Sequence, residues 1–283
     1  MTVDRILKNT GGTIMLPLTV DGAATDPSPD ECTVTVTNAA GTTVVPETPA
    51  TDTGTGTFSF NLTSAHTALL DTLTATWVYT RDGNEESLST VHEVVGGFLF
   101  TVAEFRALGS AYANTSNYPT SAVVDMRTTV EQALEDACDV AFVPRYYRET
   151  FSGQGSTTTL LRWPKVTAVR TVTIDGNAVT PVSSVVAVRE GLAYYSSGWS
   201  AGYGNVTIGY EHGFPTPPMR MKRAGLLLAK RWLTPSAADD RAINMTNETG
   251  TYAIMQAGVR GHLFDLPEVV AAVDQYSLRV GVA

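Results

Sequence analysis

The sequence predicts two domains, an all-β sandwich followed by an α+β domain of helices and β-hairpins. Three observations predict it. The 283 residues exceed one small core and fit two domains. Residues 13–95 alternate apolar and polar side chains in short runs separated by turn residues. After Gly96-Gly97 the apolar spacing changes to the helical i, i+3, i+4, i+7 pattern. The expected divisions are 1–97 for the sandwich, 98–235 for the helix and hairpin core, and 236–283 for an extended arm with a C-terminal helix.

The first run, 13–20 (TIMLPLTV), predicts a strand that turns at Asp21-Gly22. Residues 31–38 alternate strictly, with Cys32, Val34 and Val36 on one face. Thr43-Val44-Val45 is a short strand, and the Pro/Thr/Gly-rich stretch 46–57 reads as a loop. Residues 57–62 alternate again. The strongest strand is 72–80, ending at the hairpin signal Asp82-Gly83-Asn84, with 86–95 as its partner. About seven short strands in this length indicate an immunoglobulin-like sandwich with Trp77 in its core.

In the second part, Thr101-Val-Ala-Glu104 is a capping box opening a short helix that stops at Gly109. Residues 110–119 read as a polar loop. A long amphipathic helix is expected from about Thr120 to Ala141, with Val123, Val130, Ala133, Leu134, Ala137, Cys138 and Ala141 apolar and Pro144 as its stop. Residues 146–211 return to β structure, with a glycine-rich tip at Ser152-Gly-Gln-Gly-Ser156 and a hairpin turn at Asp175-Gly176-Asn177. Pro217-Pro218 opens a helix over 219–233 whose apolar side reads as Leu226, Leu227, Ala229 and Trp232. Residues 236–265 show no period. Pro267 starts a last helix to about Leu278, with Val269, Val270, Val273 and Tyr276 apolar.

Composition narrows the function classes. At 43% apolar residues, a packed core is expected and global disorder is not. No apolar run reaches membrane-spanning or signal-peptide length, so no membrane partner and no Sec-type export are expected. Cys32 and Cys138 fall in different expected domains and read as two buried thiols. The net charge of −9 is uneven. Residues 1–97 hold three basic residues (Arg5, Lys8, Arg81) against twelve acidic ones, and the rest of the chain balances sixteen against sixteen. Sequence-reading DNA binding needs a basic footprint, which this distribution lacks; a conduit past which DNA slides does not.

No enzyme constellation is expected, a Gly-x-Ser-x-Gly turn included. There is no P-loop, His-Glu-x-x-His or Cys-x-x-Cys, and Gly202-Tyr-Gly204 lacks the third glycine and following helix of a nucleotide site. His66, His92, His212 and His262 are too scattered to converge on a metal, and no cofactor is expected. Glu131, Glu135 and Asp139 form an acidic row at i, i+4 spacing; it reads as a solvated helix face or as a stripe facing a channel. Arg220, Lys222 and Arg223, with Lys230 and Arg231, read as a solvated face or as contacts to DNA or an acidic partner.

Residues 120–233 follow an ordered set of motifs: an amphipathic helix, Leu161-Arg-Trp-Pro164 with Val166 and Val169, Val172 to Gly176, Val206 to Gly213, Pro217 to Met219, and a helix. This order resembles the head–tail connector (adaptor) proteins of long-tailed double-stranded-DNA bacteriophages. Trp163 stands where that family usually has a smaller residue. The tail, with Arg241, Glu248-Thr-Gly250, Gly258 and Leu266-Pro-Glu-Val269, and the added N-terminal sandwich are similar to adaptors of actinobacterial phages. The resemblance covers about two-thirds of the chain.

The resemblance implies a structural virion protein made in the bacterial cytoplasm and located at the neck. It implies a dodecameric ring below the portal protein that extends the DNA channel and meets a head–tail stopper or tail terminator protein. Within that picture, Ile254, Met255, Val259, Leu263 and Phe264 are apolar residues in a segment without a period of its own. They are expected to dock on the portal or an adjacent subunit, or else to wrap against their own chain. Two other classes remain open: a virion decoration or carbohydrate-binding module built on the sandwich, and a small hydrolase.

Overall fold

The computed structural model describes residues 4–27, 31–188, 190–234, 244–247, 250–253, 264 and 266–278. The chain is mostly β-sheet, with four α-helices among the described residues. It divides into two compact units, and each takes two stretches of sequence. The β unit comprises Val3–Gly97 and Pro144–Gly213; the helical unit comprises Phe98–Val143 and the chain from Phe214 onward. The expected boundary at Gly97 coincides with a unit boundary. The expected 98–235 core does not stay together, because its β section, 144–213, groups with the N-terminal strands.

In the β unit the first strands are β1 (Asp4–Leu7), β2 (Gly12–Pro17), β3 (Thr19–Val20), β4 (Ala23–Ala24), β5 (Cys32–Thr37), β6 (Thr43–Pro49), β7 (Thr51–Gly54), β8 (Thr57–Leu62), β9 (Asp71–Arg81) and β10 (Asn84–Val95). One sheet runs β1-β10-β9-β5-β6, and a second runs β2-β8-β7. Alternation sends Val34, Val36, Leu73, Ala75 and Trp77 of the first and Ile14, Leu16 and Phe58 of the second into one apolar cluster. Both hairpin signals are used. Asp21 and Gly22 join β3 to β4, and Asp82 and Gly83 join β9 to β10, all four with positive φ as a two-residue type I′ turn requires. The expected loop at 46–57 is instead mostly strand. Pro46 and Pro49 fit there because β6 is a sheet edge, where a missing N–H costs no ladder bond.

The second stretch adds β11 (Arg145–Phe151), β12 (Thr158–Leu160), β13 (Val166–Ile174), β14 (Asn177–Ala178), β15 (Val185–Ala187), β16 (Leu192–Tyr195) and β17 (Val206–His212). They form sheets β11-β17-β13-β14 and β12-β16-β15 around Val172, Trp199, Ile208 and Tyr210. Four links tie this stretch to the N-terminal strands. Glu93 of β10 receives Arg145 in a bidentate pair, Nε to Oε1 at 2.5 Å and Nη2 to Oε2 at 2.6 Å. Gly96 N–H donates to Pro144 O at 2.8 Å. Arg170 donates to Leu70 O and Arg148 to Ala39 O.

The helical unit holds α1 (Val102–Arg106), α2 (Thr120–Cys138), α3 (Met219–Leu233) and α4 (Pro267–Tyr276). The capping box forms as expected: Glu104 N–H donates to Thr101 Oγ1 at 3.1 Å, and Thr101 N–H to Glu104 Oε2 at 2.8 Å. The supposed polar loop 110–119 is anchored by aromatics, since Tyr112 and Tyr118 pack on Phe105 and on each other. Helix α2 ends earlier than Pro144, at Asp139, which takes the left-handed conformation of a C-cap. Helix α3 buries Met221, Ala224, Gly225, Leu228 and Ala229, an i, i+3, i+4, i+7, i+8 stripe. Trp232 is correspondingly exposed, so the apolar side expected from Leu226, Leu227 and Trp232 is rotated from the one used. Within the expected arm, strands β18 (Asn244–Asn247) and β19 (Gly250–Ala253) pair antiparallel.

Candidate functional site

Two members of the acidic row on α2, Glu131 and Glu135, are buried and not solvated. Arg127, Glu131 and Glu135 lie at i, i+4 and i+8, and all three are buried. Glu131 Oε1 accepts the backbone N–H of Leu99 at 2.5 Å, and Glu135 Oε1 accepts that of Phe142 at 3.4 Å. One carboxylate holds the chain entering the unit and the other the chain leaving it. The Arg127 guanidinium lies 3.4 Å over the Phe98 ring, a cation–π contact at the start of the same segment. Asp139 is half-buried at the helix cap. Spacing alone could not reveal this, because a buried row and a solvated row have the same period.

The basic row on α3 is mostly engaged. Lys222 Nζ contacts Glu104 Oε1 at 2.6 Å; that hydrogen bond, followed by the one from Thr101 N–H, holds the Glu104 carboxyl below its ordinary range. Arg220 donates to Gln275 Oε1 of α4, and Arg223 is exposed. Of the arm residues, Ile254, Met255, Val259 and Leu263 lie outside the described residues. Phe264 is buried in the cluster formed by α2, α3 and α4 of its own chain, so this residue is spent on an internal contact and not offered to a partner.

The β unit carries three features that spacing did not announce. The first is a buried ion cluster: Glu93, 5% exposed, lies between Arg145 and Arg5, whose Nε is 3.4 Å from Oε2. The second is an aromatic group around His212. That ring stacks on Trp163 at 5.4 Å and meets Tyr147 edge-on. Burial, then the nearby Arg145 charge, lowers the His212 pKa to about 3, so the imidazole is neutral at physiological pH. Beside it, Tyr210 Oη donates to Glu149 Oε1 at 2.9 Å and accepts Trp163 N–H at 3.1 Å, and burial pushes the phenol well above its ordinary value. This network seats the Leu161-Arg-Trp-Pro164 segment.

The third feature is the outer face of the sheet β12-β16-β15. Leu160 is opposite Leu192, and Tyr194 stands between Thr158 and Val186. Four of these side chains are large and exposed: Leu160 (74%), Val186 (54%), Tyr194 (45%) and Leu192 (41%). These side chains lie on one face of the sheet and leave apolar surface in water.

The expectation of no Gly-x-Ser-x-Gly is corrected: Gly198-Trp-Ser-Ala-Gly202 has that spacing of a hydrolase nucleophile turn. That chemistry needs a strand–turn–helix setting and a histidine on the serine hydroxyl. The segment is instead a loop between strands β16 and β17, and no hydrogen bond joins the Ser200 hydroxyl to a histidine among the described residues. Among the described residues no group of three or more metal-ligating side chains occurs, and no helix is long and apolar enough to cross a membrane. Cys32 and Cys138 are both buried thiols that are not joined in a disulfide, and burial raises the Cys32 thiol to about 11. No family model matches the chain, and no curated protein matches it.

Proposed function

We propose that this chain is a structural protein of a bacteriophage virion: a head–tail adaptor whose copies form a ring below the portal, with the N-terminal strands arranged as an immunoglobulin-like sandwich. The observation that carries the reading is the ordered motif set from 120 to 233, from the amphipathic helix through Leu161-Arg-Trp-Pro164 and Val206 to Gly213 to the helix after Pro217-Pro218. The apolar face of Leu160, Val186, Leu192 and Tyr194 supports it, because association of copies would remove that surface from water. So does the charge distribution: the excess negative charge lies in residues 1–97, and the remainder is balanced, as suits a conduit that does not grip phosphate. The partners in this reading are further copies of the chain, the portal, and a stopper or tail terminator protein, with DNA in passage.

Native mass measurement of the purified protein, alone and with portal, tests the proposal. The expected result is a closed ring, formed alone or on the portal. A monomer under both conditions overturns it. Leu160→Glu together with Tyr194→Glu is expected to abolish the ring while the monomer stays folded, since both side chains are exposed.

A further inference from the structure

Strand β10 of the sheet β1-β10-β9-β5-β6 has one edge covered and the other mostly open. On one side it pairs with β9 in a single unbroken register, from Asn84↔Arg81 to Val94↔Asp71. On the other side β1 pairs only with His92–Val95. Among the described residues no strand pairs with the outer edge of 84–91. Such an edge presents a row of backbone N–H and C=O groups that another extended chain can complete.

The other long edges of the two N-terminal sheets are guarded. Strand β6 carries Pro46 and Pro49 and breaks register against β5. Strand β7 breaks register against β8 between Asp52 and Gly54, and β2 ends on Pro17. Prolines and bulges keep further strands from adding to an edge. Residues 84–91 have neither, and no lysine. The segment is also held in place. Glu86 meets Arg81 at 3.5 Å, the Ser89 and Thr76 hydroxyls lie 3.4 Å apart, and Thr90 Oγ1 accepts Trp77 Nε1–H at 3.0 Å. An added strand therefore meets a preformed edge, and little further entropy is lost there.

Side chains on this edge would gain from cover. Leu88 stands opposite Trp77 and points to the same side of the sheet, yet Trp77 is fully buried and Leu88 is 44% exposed. Val91, on the other side of the sheet, is 42% exposed.

A second copy of the same strand fits the edge. Two copies of β10 laid antiparallel about Leu88 set Leu88 against Leu88, Ser87 against Ser89, Glu86 against Thr90 and Glu85 against Val91. No two carboxylates face each other. The two Glu85 residues then stand about 20 Å apart along the strands, more than two Debye lengths at physiological salt. A parallel, in-register pairing instead stacks Glu85 on Glu85 and Glu86 on Glu86, which like charges oppose. A self-complementary contact of the antiparallel kind closes about a two-fold axis.

We propose that two copies of this chain join through the free edge of β10, antiparallel and centred on Leu88, so that the sheet continues across a two-fold axis. The joint does not rest on the adaptor reading. A ring grows by head-to-tail contacts, and the face that carries Leu160 and Tyr194 belongs to a different sheet, so each association has its own variants.

Native mass measurement and sedimentation of the full-length protein up to about 100 μM test it. A species of doubled mass is expected, either a dimer or a pair of rings. Leu88→Lys and Leu88→Glu each set like charges against each other at the centre, and each is expected to weaken the pairing at least about 10-fold. Mixing the two variants sets an ammonium against a carboxylate in the same register and is expected to restore it. Thermal unfolding checks that both variants fold. Ser87→Lys with Ser89→Lys alters two exposed side chains on the face away from Trp77 and is expected to weaken the pairing as well. No species of doubled mass overturns the proposal, as does pairing that is indifferent to Leu88→Lys or a mixture of folded variants that does not pair. A single ring whose mass ignores position 88 sinks the joint and leaves the adaptor reading standing; a dimer that Leu88→Lys splits, with no ring, does the reverse.

Discussion

The two units bury carboxylates for different purposes. In the β unit, Glu93 is an ion-pair hub: it takes Arg5 from the first strand and Arg145 from a strand about fifty residues away, and so ties two separate stretches of sequence together. In the helical unit, Glu131 and Glu135 accept backbone N–H groups of Leu99 and Phe142 and so hold the two ends of its first stretch, Phe98–Val143. Buried charge is therefore used twice to manage a discontinuous chain, once between side chains and once between side chain and backbone. A buried ion pair is weak evidence for net stability, but losing one partner strands the other.

That contrast can be broken first at its strongest point. Glu93→Ala removes the carboxylate shared by the buried Arg5 and the half-buried Arg145, and chemical denaturation is expected to show a loss of about 3 kcal/mol. A loss below about 1 kcal/mol would mean that water already serves these groups.

The β unit also carries a pH dependence at His212. The His212 pKa is about 3 in the folded state and about 6.5 unfolded. Below 6.5 the unfolded chain binds a proton that the folded chain refuses. Stability is therefore complete above pH 6.5 and falls with decreasing pH towards 3, by about 1.4 kcal/mol per pH unit and roughly 3 kcal/mol by pH 4. His212→Gln should flatten that part of the profile; an unchanged slope in the variant would assign it to other groups.

The backbone-capping role of Glu131 is expected to be worth less than the Glu93 hub. Glu131→Ala leaves Leu99 N–H unsatisfied at about 1–3 kcal/mol, and Glu131→Gln, which keeps an acceptor, should recover part of it. Amide exchange at Leu99 distinguishes the two, since only the alanine variant should expose that amide. The smallest effect belongs to the half-exposed pair on the helical side. Lys222→Ala removes the contact to Glu104 and is expected to cost less than about 1 kcal/mol, a loss that added salt should mask in the parent protein.

Local signals were legible wherever the physics is local. All three aspartate–glycine turns, the capping box, the Trp77 strand and the extents of α3 and α4 follow from dihedral preferences and periodicity within a few residues. Misreadings occurred where a second segment decides. The 46–57 stretch has a weak strand pattern and becomes strand because β8 and β5 offer it partners. On α3 the stripe containing Gly225 is used because Leu99 packs there, where a β-carbon would come within 2.5 Å of Leu99 Cδ2; glycine carries no hydrophobicity that a pattern could register. A cavity beside Trp199 joins residues 151–160 to 199, and no spacing rule connects those positions.

By itself the sequence determined the identity and order of most elements, the change of character at Gly96-Gly97, and the motif order that suggests an adaptor. Those depend on side-chain period, turn chemistry and composition, which are properties of neighbours along the chain. Only the tertiary structure decided that residues 144–213 join the N-terminal strands, that Glu131 and Glu135 of α2 are buried, and that Phe264 is spent on its own helices. The reason is common to all three. Burial is set by which surface meets which, and a charge or a phenylalanine reads the same in sequence whether water or another segment covers it.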